Sequence, residues 1–267
     1  MGKKQPMKNE SKIRNLNLEM NDIPKCNILG VDLAAVNMMW TIDYLKRNIQ
    51  NMSGKYICVT NVHTTVMSYE NEEYRFIQNN GVLALPDGGP LSTIGRKKGF
   101  KGMERVTGPN LMEEIFKVSV ENDYTHYFYG SSEDTLKKLN ENLLNKYPKL
   151  NIVGMHSPPY RELTIEEDMK IISNINDLSP DFIWVGLGAP KQENWMAQHQ
   201  DKVSGLMIGV GAGFDYFAGK IKRAPKIMQK ANLEWLFRLL QDPSRLFKRY
   251  LRTNSKFIWL VMLKEIK

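Results

Sequence analysis

Cysteine and histidine are scarce in this sequence, which has two cysteines and four histidines among 267 residues. Cys26 and Cys58 both lie in apolar, strand-like runs, and neither belongs to a CxxC pair. We therefore predict that both are buried thiols of a protein from a reducing compartment. The histidines are scattered without the spacing of metal ligands, so the sequence predicts no metal site and no other cofactor.

Long apolar runs and clustered carboxylates are lacking as well. The lysine-rich start is not followed by the apolar segment of a signal peptide, and the apolar run 257–263 is too short to span a bilayer. No Asp-x-Asp occurs, although enzymes that hold a nucleotide diphosphate through Mg²⁺ or Mn²⁺ usually offer clustered carboxylates. The charge of any bound phosphate must then be met by Arg, Lys and backbone amides.

The net charge of +8 is concentrated at the two ends of the chain. Residues 1–25 carry six Lys or Arg against three Asp or Glu, and residues 231–267 carry eight against three. The residues between them are neutral, with 23 charges of each sign. A duplex-binding domain more often carries its basic excess on the folded body. We therefore expect no nucleic acid partner, and a flat anionic surface is favoured as the partner of the C-terminal tail.

Short apolar runs alternate with helical patterns from about residue 25 onward. This alternation predicts an α/β fold, a Rossmann-like, mostly parallel sheet with helices on both faces. We divide the chain into a disordered leader (1–24), an α/β domain (25–225) and a basic amphipathic C-terminal appendage (226–267). The predicted strands are 27–31, 55–60, 82–85, 125–129, 151–155, 181–186 and 205–210, and the predicted helices are 34–50, 63–79, 109–121, 132–146, 165–178 and 190–200.

Polar, glycine-rich segments follow four of the predicted strands. Because the strands of a parallel sheet end at one edge, and ligands bind at that edge, we predict a site there. The four segments are Thr60-Asn61, Pro86-Asp87-Gly88-Gly89-Pro90, Gly186–Glu193 and Gly209–Asp215.

Each candidate in these segments also has a purely structural interpretation. The sequence around Asp87 is a good turn sequence, and the 60–61 pair could cap the helix that follows it. Gln192 and Glu193 fall in the first turn of a predicted helix, where exposed polar side chains are typical. Arg105, outside the four segments, could be an ordinary surface charge, with the nearby Thr107 as a helix cap.

The glycines at 209, 211 and 213 favour a phosphate loop more than a dinucleotide fold. Their spacing is not GxGxxG, they follow the last strand, and no acidic residue ends a following strand. A glycine-rich turn before a helix can still hold a diphosphate through backbone N–H groups. A nucleotide-dependent oxidoreductase therefore stays the alternative enzyme class, beside a non-enzymatic membrane- or nucleic-acid-binding protein.

The C-terminal tail has the pattern of an amphipathic helix after Pro243. Two interpretations follow: a surface that faces a membrane, or a final helix with its apolar side on the core and its basic side in solvent. The run Thr253-Asn254-Ser255 could interrupt the helix. Arg245, Arg249, Arg252 and Lys256 are spaced 4, 3 and 4 apart and form one stripe, opposite Phe247, Tyr250, Leu251, Ile258 and Val261.

Six segments in order across residues 27–262 resemble the WecG/TagA/CpsF glycosyltransferases of bacterial wall and surface polysaccharides. Each segment alone is modest, but the six together are specific. The matching segments are TNVHT (60–64), LPDGGPL (85–91), ERVTGPNLM (104–112), GLGAPKQENWM (186–196), GVGAGFDYFAGKIKRAP (209–225) and NLEWLFRLLQDPSRLFKRYL (232–251).

The resemblance implies a metal-independent, inverting transfer from a UDP-sugar to a polyprenyl-diphosphate-linked N-acetylglucosamine at the inner face of the cell membrane. The implied donor is UDP-N-acetylmannosamine, with UDP-glucose or UDP-N-acetylmannosaminuronic acid as alternatives in exopolysaccharide synthesis. Asp87 is implied as the general base. A homo-oligomer is left open. The implied substrate-binding residues are Thr60, Asn61, Arg105, Gln192 and Asp215, joined by Arg238, Arg245 and Arg249 of the tail.

Overall fold

The computed structural model describes residues 23–264, where strands and helices alternate as predicted. The first 22 residues of the predicted leader lie outside the described residues. The strands are β1 Lys25–Ile28, β2 Val31–Ala34, β3 Tyr56–Thr60, β4 Leu83–Pro86, β5 Thr125–Gly130, β6 Asn151–His156, β7 Phe182–Gly186 and β8 Leu206–Gly209. The helices are α1 Met38–Asn48, α2 Val62–Glu70, α3 Glu72–Asn80, α4 Gly89–Lys97, α5 Gly108–Asn122, α6 Glu133–Lys146, α7 Ile165–Leu178, α8 Lys191–Gln198, α9 Gly213–Phe217, α10 Lys226–Lys230, α11 Glu234–Gln241 and α12 Pro243–Lys264.

Six of these strands form one parallel sheet in the order β4-β3-β8-β7-β5-β6. The central strands are apolar runs, because helices cover both faces of the sheet. Neighbouring residues of β7 show this directly: Trp184 packs into the cluster formed with α1, α5 and α6, and Val185 packs into the cluster formed with α7 and α8. The predicted parallel α/β fold is confirmed.

The first predicted strand, 27–31, is wrong in extent and in partner. It is a hairpin of two short antiparallel strands, separate from the six-stranded sheet. Leu29 and Gly30 both have positive φ, 51° and 90°, as a two-residue type I′ hairpin turn requires. The apolar residues on either side of the turn hid this reversal in the sequence.

The predicted helix 63–79 is two helices, because Asn71 interrupts it. Asn71 has extended backbone angles, and its side-chain oxygen accepts a hydrogen bond from the N–H of Tyr74, which caps α3. Helix α4, which directly follows the Asp87 loop, was not predicted. Thr164 caps α7, with Glu167 completing a capping box. Cys26 and Cys58 are both buried, as predicted.

The appendage consists of helices α10, α11 and α12, and α12 continues without interruption through residues 253–255. The interpretation in which the predicted apolar face packs on the core is wrong in part, because Val261 is the one residue of that face that the helix buries. The helix buries Leu246, Thr253, Phe257, Leu260 and Val261, whereas Phe247, Leu251 and Ile258 stay exposed. Within residues 23–264, no helix is long and apolar enough to cross a membrane.

The buried side of α12 packs against helix α2 and belongs to an apolar cluster that also includes the β1–β2 hairpin. Phe257, Leu260 and Val261 share one apolar cluster with Cys26 and Val31 of that hairpin. Burial of such side chains contributes about 1.5–3 kcal/mol each. The appendage is therefore docked on the body by a small core of its own, next to helix α2.

Candidate active site

Asp87 is held in place at the carboxyl end of β4. Its backbone N–H donates to the carbonyl of Thr60 at 2.7 Å, which ties the β4 loop to the end of β3. Gly88 follows with φ of 157°, a conformation that favours glycine. A side chain at Gly89 would overlap Asn232 of the appendage, so that position also requires glycine. The loop thus fixes the carboxyl at the sheet edge predicted for the site.

Four charged side chains act electrostatically on the Asp87 carboxyl: Arg105, Arg223, Arg238 and Glu234. Burial raises the pKa of Asp87 to about 6, and Glu234 acts in the same direction, whereas the three arginines lower it. Part of the residue still reaches solvent. A carboxylate with a pKa near neutrality, open to a ligand, has the properties of a general base.

Arg105 lies beside Asp87 because the segment before α5 is anchored to β4. The N–H of Val106 donates to the carbonyl of Pro86 at 2.8 Å. Thr107 then caps α5 by accepting a hydrogen bond from the N–H of Asn110. The predicted cap is confirmed, and the alternative of an ordinary surface charge at Arg105 is wrong, since only 16% of its side chain is exposed.

Glu234 of α11 connects the appendage to two of these arginines. Its carboxylate oxygens lie 2.9 Å from Nη2 of Arg105 and 3.6 Å from Nε of Arg223. Arg223 and Arg238 lie over the ring of Tyr216, with guanidinium carbons 5.4 and 5.7 Å from the ring centre. The result is a cationic cluster that only the body and α11 together can form.

Asp215 lies at the other side of this cluster, in the short helix α9. Burial raises the pKa of Asp215, and Lys220, Arg245 and Arg238 lower it. Arg238 is thus the residue that acts on both carboxyl groups, Asp87 and Asp215. Arg238 therefore places Asp215 and Asp87 in one electrostatic environment.

The other two predicted tail arginines lie farther out. Arg245 is largely exposed and pairs with Asp242 at 2.6 Å. Arg249 acts on His63 at the start of α2, where it lowers the pKa of that imidazole after the larger effect of burial. Neither is among the charged groups that act on Asp87. Of the three arginines, Arg238 alone is brought to the catalytic candidate.

Thr60 and Asn61 end β3 and both serve the local structure. The Asn61 side chain accepts hydrogen bonds from the N–H groups of His63 and Thr64, so the alternative interpretation as a helix cap is confirmed for it. The Thr60 hydroxyl is buried and donates to Oε1 of Gln78 at 2.6 Å. Both side chains therefore stabilise the end of β3 through hydrogen bonds within the protein.

Gln192 and Glu193 are buried, and the expectation of exposed side chains in this first helical turn is wrong. Their exposed fractions are 4% and 0%. Oε1 of Gln192 accepts from the N–H groups of Gly188 at 3.2 Å and Gly211 at 3.0 Å. One amide thereby links the two glycine-rich loops that follow the neighbouring strands β7 and β8.

The sequence interpretation missed Arg223, Tyr216 and Glu234. Arg223 and Tyr216 stand in the same segment as Asp215, so a search for cations and rings near that glycine loop could have found them. Glu234 had no such signal, because its role depends on how α11 folds back. Among residues 23–264, no group of three His, Cys, Asp or Glu side chains could hold a metal ion.

Residues 26–267 match the family described as "Glycosyl transferase WecG/TagA/CpsF family", so the match covers the sheet, the Asp87 loop and the appendage. This chain belongs to the WecG/TagA/CpsF family of glycosyltransferases. It is a glycosyltransferase, and family membership sets aside the oxidoreductase and the non-enzymatic binding protein.

The curated relatives of this glycosyltransferase are enzymes of nearly the same length. It is 28% identical over 252 residues to the N-acetylglucosaminyldiphosphoundecaprenol N-acetyl-beta-D-mannosaminyltransferase of Staphylococcus aureus strain MW2. The proteins of the same name from strains NCTC 8325 and COL have the same identity. Each alignment covers 93% of this chain and 96% of the relative.

Proposed function

We propose that this glycosyltransferase moves N-acetylmannosamine from its UDP donor to N-acetylglucosaminyl-diphosphoundecaprenol, a step of teichoic acid or related polysaccharide synthesis. The observation that carries the proposal is the carboxylate of Asp87 amid three arginines at the carboxyl edge of the sheet. The names of the relatives supply the sugar and the acceptor.

Asp87 acts as the general base in the proposed reaction. It takes the proton of the acceptor hydroxyl while that oxygen bonds to the anomeric carbon of the donor. The bond from that carbon to UDP breaks on the opposite face, so the configuration inverts. General-base assistance of this kind contributes about 10²–10⁴-fold.

The arginine cluster takes the charge that develops on the departing diphosphate. Arg105, Arg223 and Arg238 offer planar donors suited to phosphate oxygens. Backbone N–H groups of the glycine-rich loops after β7 and β8 add donors without charge. Electrostatic stabilisation of this kind is often the largest contribution to rate, and here it needs no metal ion.

The appendage docks the enzyme on the inner leaflet, where the lipid-linked acceptor lies. Helix α12 exposes Phe247, Leu251, Ile258 and Met262, each more than half accessible, at spacings that place them on one side. The exposed Lys248 and Arg252 lie beside this strip. Apolar side chains that enter the headgroup region, with about 1 kcal/mol per nearby basic residue, give reversible binding. Residues 226–267 then act as a unit, distinct from the domain 25–225.

Vesicle co-sedimentation tests the docking surface. A Phe247→Ser/Leu251→Ser variant should lose most binding to vesicles that contain phosphatidylglycerol, with the fold unchanged by circular dichroism. Ile165→Ser on α7 is the matched control, since Ile165 is also exposed and apolar but lies on the body. Equal binding by all three proteins would contradict the membrane role of α12.

A donor screen tests the reaction. Full-length protein is incubated with single UDP-sugars and a polyprenyl-diphosphate N-acetylglucosamine analogue, and released UDP is measured. Release from UDP-N-acetylmannosamine alone supports the proposal. If UDP is released from UDP-glucose or UDP-N-acetylmannosaminuronic acid instead, that sugar nucleotide is the donor. If no UDP-sugar releases UDP, the proposed acceptor is wrong.

A further inference from the structure

Glu193 is a carboxyl group in the interior of the protein, directly behind the site. It lies in the first turn of α8 and is fully buried. The groups that act on its carboxyl are uncharged: the Gln192 amide, its own backbone N–H and the Tyr74 hydroxyl. Burial therefore raises the pKa of Glu193, because a charge without a counter-ion is costly in the interior.

The two carboxyl oxygens of Glu193 have different surroundings. Oε1 accepts a hydrogen bond from Nε2 of Gln192 at 2.8 Å. Oε2 is buried without a hydrogen-bond partner. Ionisation would leave a negative charge in the interior with no cation beside the carboxyl, whereas protonation removes that charge. The arrangement fits a neutral carboxylic acid that accepts through one oxygen and carries its proton on the other.

The hydrogen bond to Glu193 fixes which way the Gln192 amide points. With Nε2 directed at Glu193, Oε1 faces the N–H groups of Gly188 and Gly211. The reverse orientation would direct an NH₂ group at two backbone donors. Nε2 also fits closely against Gly209, where an added Cβ would lie 3.0 Å from it. Glu193 thus holds the one amide that joins the β7 and β8 loops.

The same network reaches the end of β3. The Thr60 hydroxyl donates to Gln78, and Nε2 of Gln78 donates to the Tyr74 hydroxyl at 3.0 Å. Tyr74 in turn acts on the Glu193 carboxyl. Three adjacent strand ends, those of β3, β8 and β7, are therefore coupled through one buried and uncharged set of side chains.

We propose that Glu193 is a positioning residue of the transferase site, whose neutral carboxyl fixes Gln192 and through it the spacing of the two glycine-rich loops. The inference rests on the proposed function only for its ligand, a nucleoside diphosphate held by those loops. Glu193 acts through Gln192 and touches no substrate. An amide in its place has the same shape and the same accepting oxygen, so the proposal makes opposite predictions for Gln and for Ala at this position.

The test compares Glu193→Gln, Glu193→Ala and the control Glu166→Ala, an exposed glutamate on α7. UDP affinity by calorimetry, donor KM and kcat, and hydrogen exchange in the loops around Gly188 and Gly211 are measured on the full-length protein. Glu193→Gln and the control should behave as the wild type. Glu193→Ala should weaken UDP binding and raise the donor KM about tenfold, the size of one lost hydrogen bond, with kcat less affected and faster exchange in both loops.

Two results would overturn the inference: wild-type binding and exchange in Glu193→Ala, or damage in Glu193→Gln equal to that in Glu193→Ala. The second would mean that the negative charge is needed. Loop exchange does not depend on any substrate, so it tests Glu193 even if the wild type binds no UDP. Failure of the donor screen is therefore distinguishable from failure of this proposal.

Discussion

On one side of Asp87 the site is supported by uncharged side chains, and on the other side by charged ones. The uncharged side is the Thr60–Gln78–Tyr74–Glu193–Gln192 network of the body, which is almost fully buried. The charged side is the cluster of Arg105, Arg223, Arg238 and Glu234, which the body shares with the appendage. The first side depends on the body alone, and the second exists only when α11 is docked.

This difference separates two tasks of the enzyme. A buried hydrogen-bond network is shielded from salt, so it suits the permanent shape of the ligand loops. Interactions among partly exposed charges respond to salt, pH and the position of α11. Control of activity by the environment should therefore act on the charged side and leave the uncharged side unchanged.

The largest effect is expected at Asp87, between the two sides. Asp87→Asn keeps the size of the side chain but removes the base, so the transfer rate should fall about 10²–10⁴-fold. UDP-release assays measure the loss, and circular dichroism should show an unchanged fold. Asp177→Asn, at an exposed position of α7, is the control. Full activity of Asp87→Asn would remove the general base from the mechanism.

The same substitution should stabilise the protein above neutral pH. The pKa of Asp87 is about 6 in the folded protein and about 3.9 in an unfolded chain. Both forms are protonated below pH 4. The cost of ionising the buried carboxyl appears between pH 4 and 6 and is complete above, where it reaches roughly 3 kcal/mol.

Thermal unfolding of wild type and Asp87→Asn at two pH values measures this cost. The variant should have the higher Tm at pH 8 and nearly the same Tm at pH 4. A lower Tm at pH 8 would show that the arginines stabilise the carboxylate more than burial destabilises it.

Arg105 and Glu234 should shift the pH dependence of activity in opposite directions. Arg105 lowers the pKa of Asp87 and Glu234 raises it. The acid limb of the pH–rate profile, which lies near pH 6 in the wild type, should move to higher pH in Arg105→Gln and to lower pH in Glu234→Gln.

Arg105→Gln should also lose about ten- to a hundredfold in kcat/KM from its missing phosphate contacts, whereas Glu234→Gln should lose less at neutral pH. The measurement is the pH–rate profile of the wild type and both variants at two salt concentrations. A shift of both variants in one direction would contradict the charged arrangement around Asp87.

The smallest effect is expected where the appendage meets helix α2. Lys256 of α12 pairs with Glu70, and both side chains are 36% exposed. Exposed pairs of this kind contribute at most about 1 kcal/mol. Lys256→Met should therefore change the free energy of unfolding by less than that in denaturant titrations. A larger loss would mean that α12 is docked by charge more than by its apolar cluster.

Local patterns predicted the sheet and the place of the site. Apolar runs ending in Thr60, Pro86 and Gly209 indicate parallel strands whose ends share one edge. Asp87 directly follows one of these ends, so its place in the site could be predicted. The break at Asn71 was not predicted, because the surrounding residues have a continuous helical pattern and the break depends on a single side chain that caps the second helix. Thr107 and Asn61 were identifiable as caps because capping is a local interaction.

The rest of the site depends on contacts between distant parts of the chain. The burial of Glu193 conflicts with the usual exposure of charged residues in a first helical turn, and it is explained only by the uncharged partners brought from α3. Glu234 contacts Arg105 across 129 positions of sequence. No local rule predicts such a pair, because its geometry is set by the return of α11 over the β4 loop.

The apolar cluster that α12 shares with the β1–β2 hairpin has a consequence for biosynthesis. The β1–β2 hairpin is translated more than 200 residues before α12. The apolar cluster around Cys26 and Val31 therefore gains Phe257, Leu260 and Val261 only after α12 has been translated. A nascent chain that has reached Asp87 still lacks Glu234 and Arg238, so it acquires its full cationic cluster only after α11 has been translated.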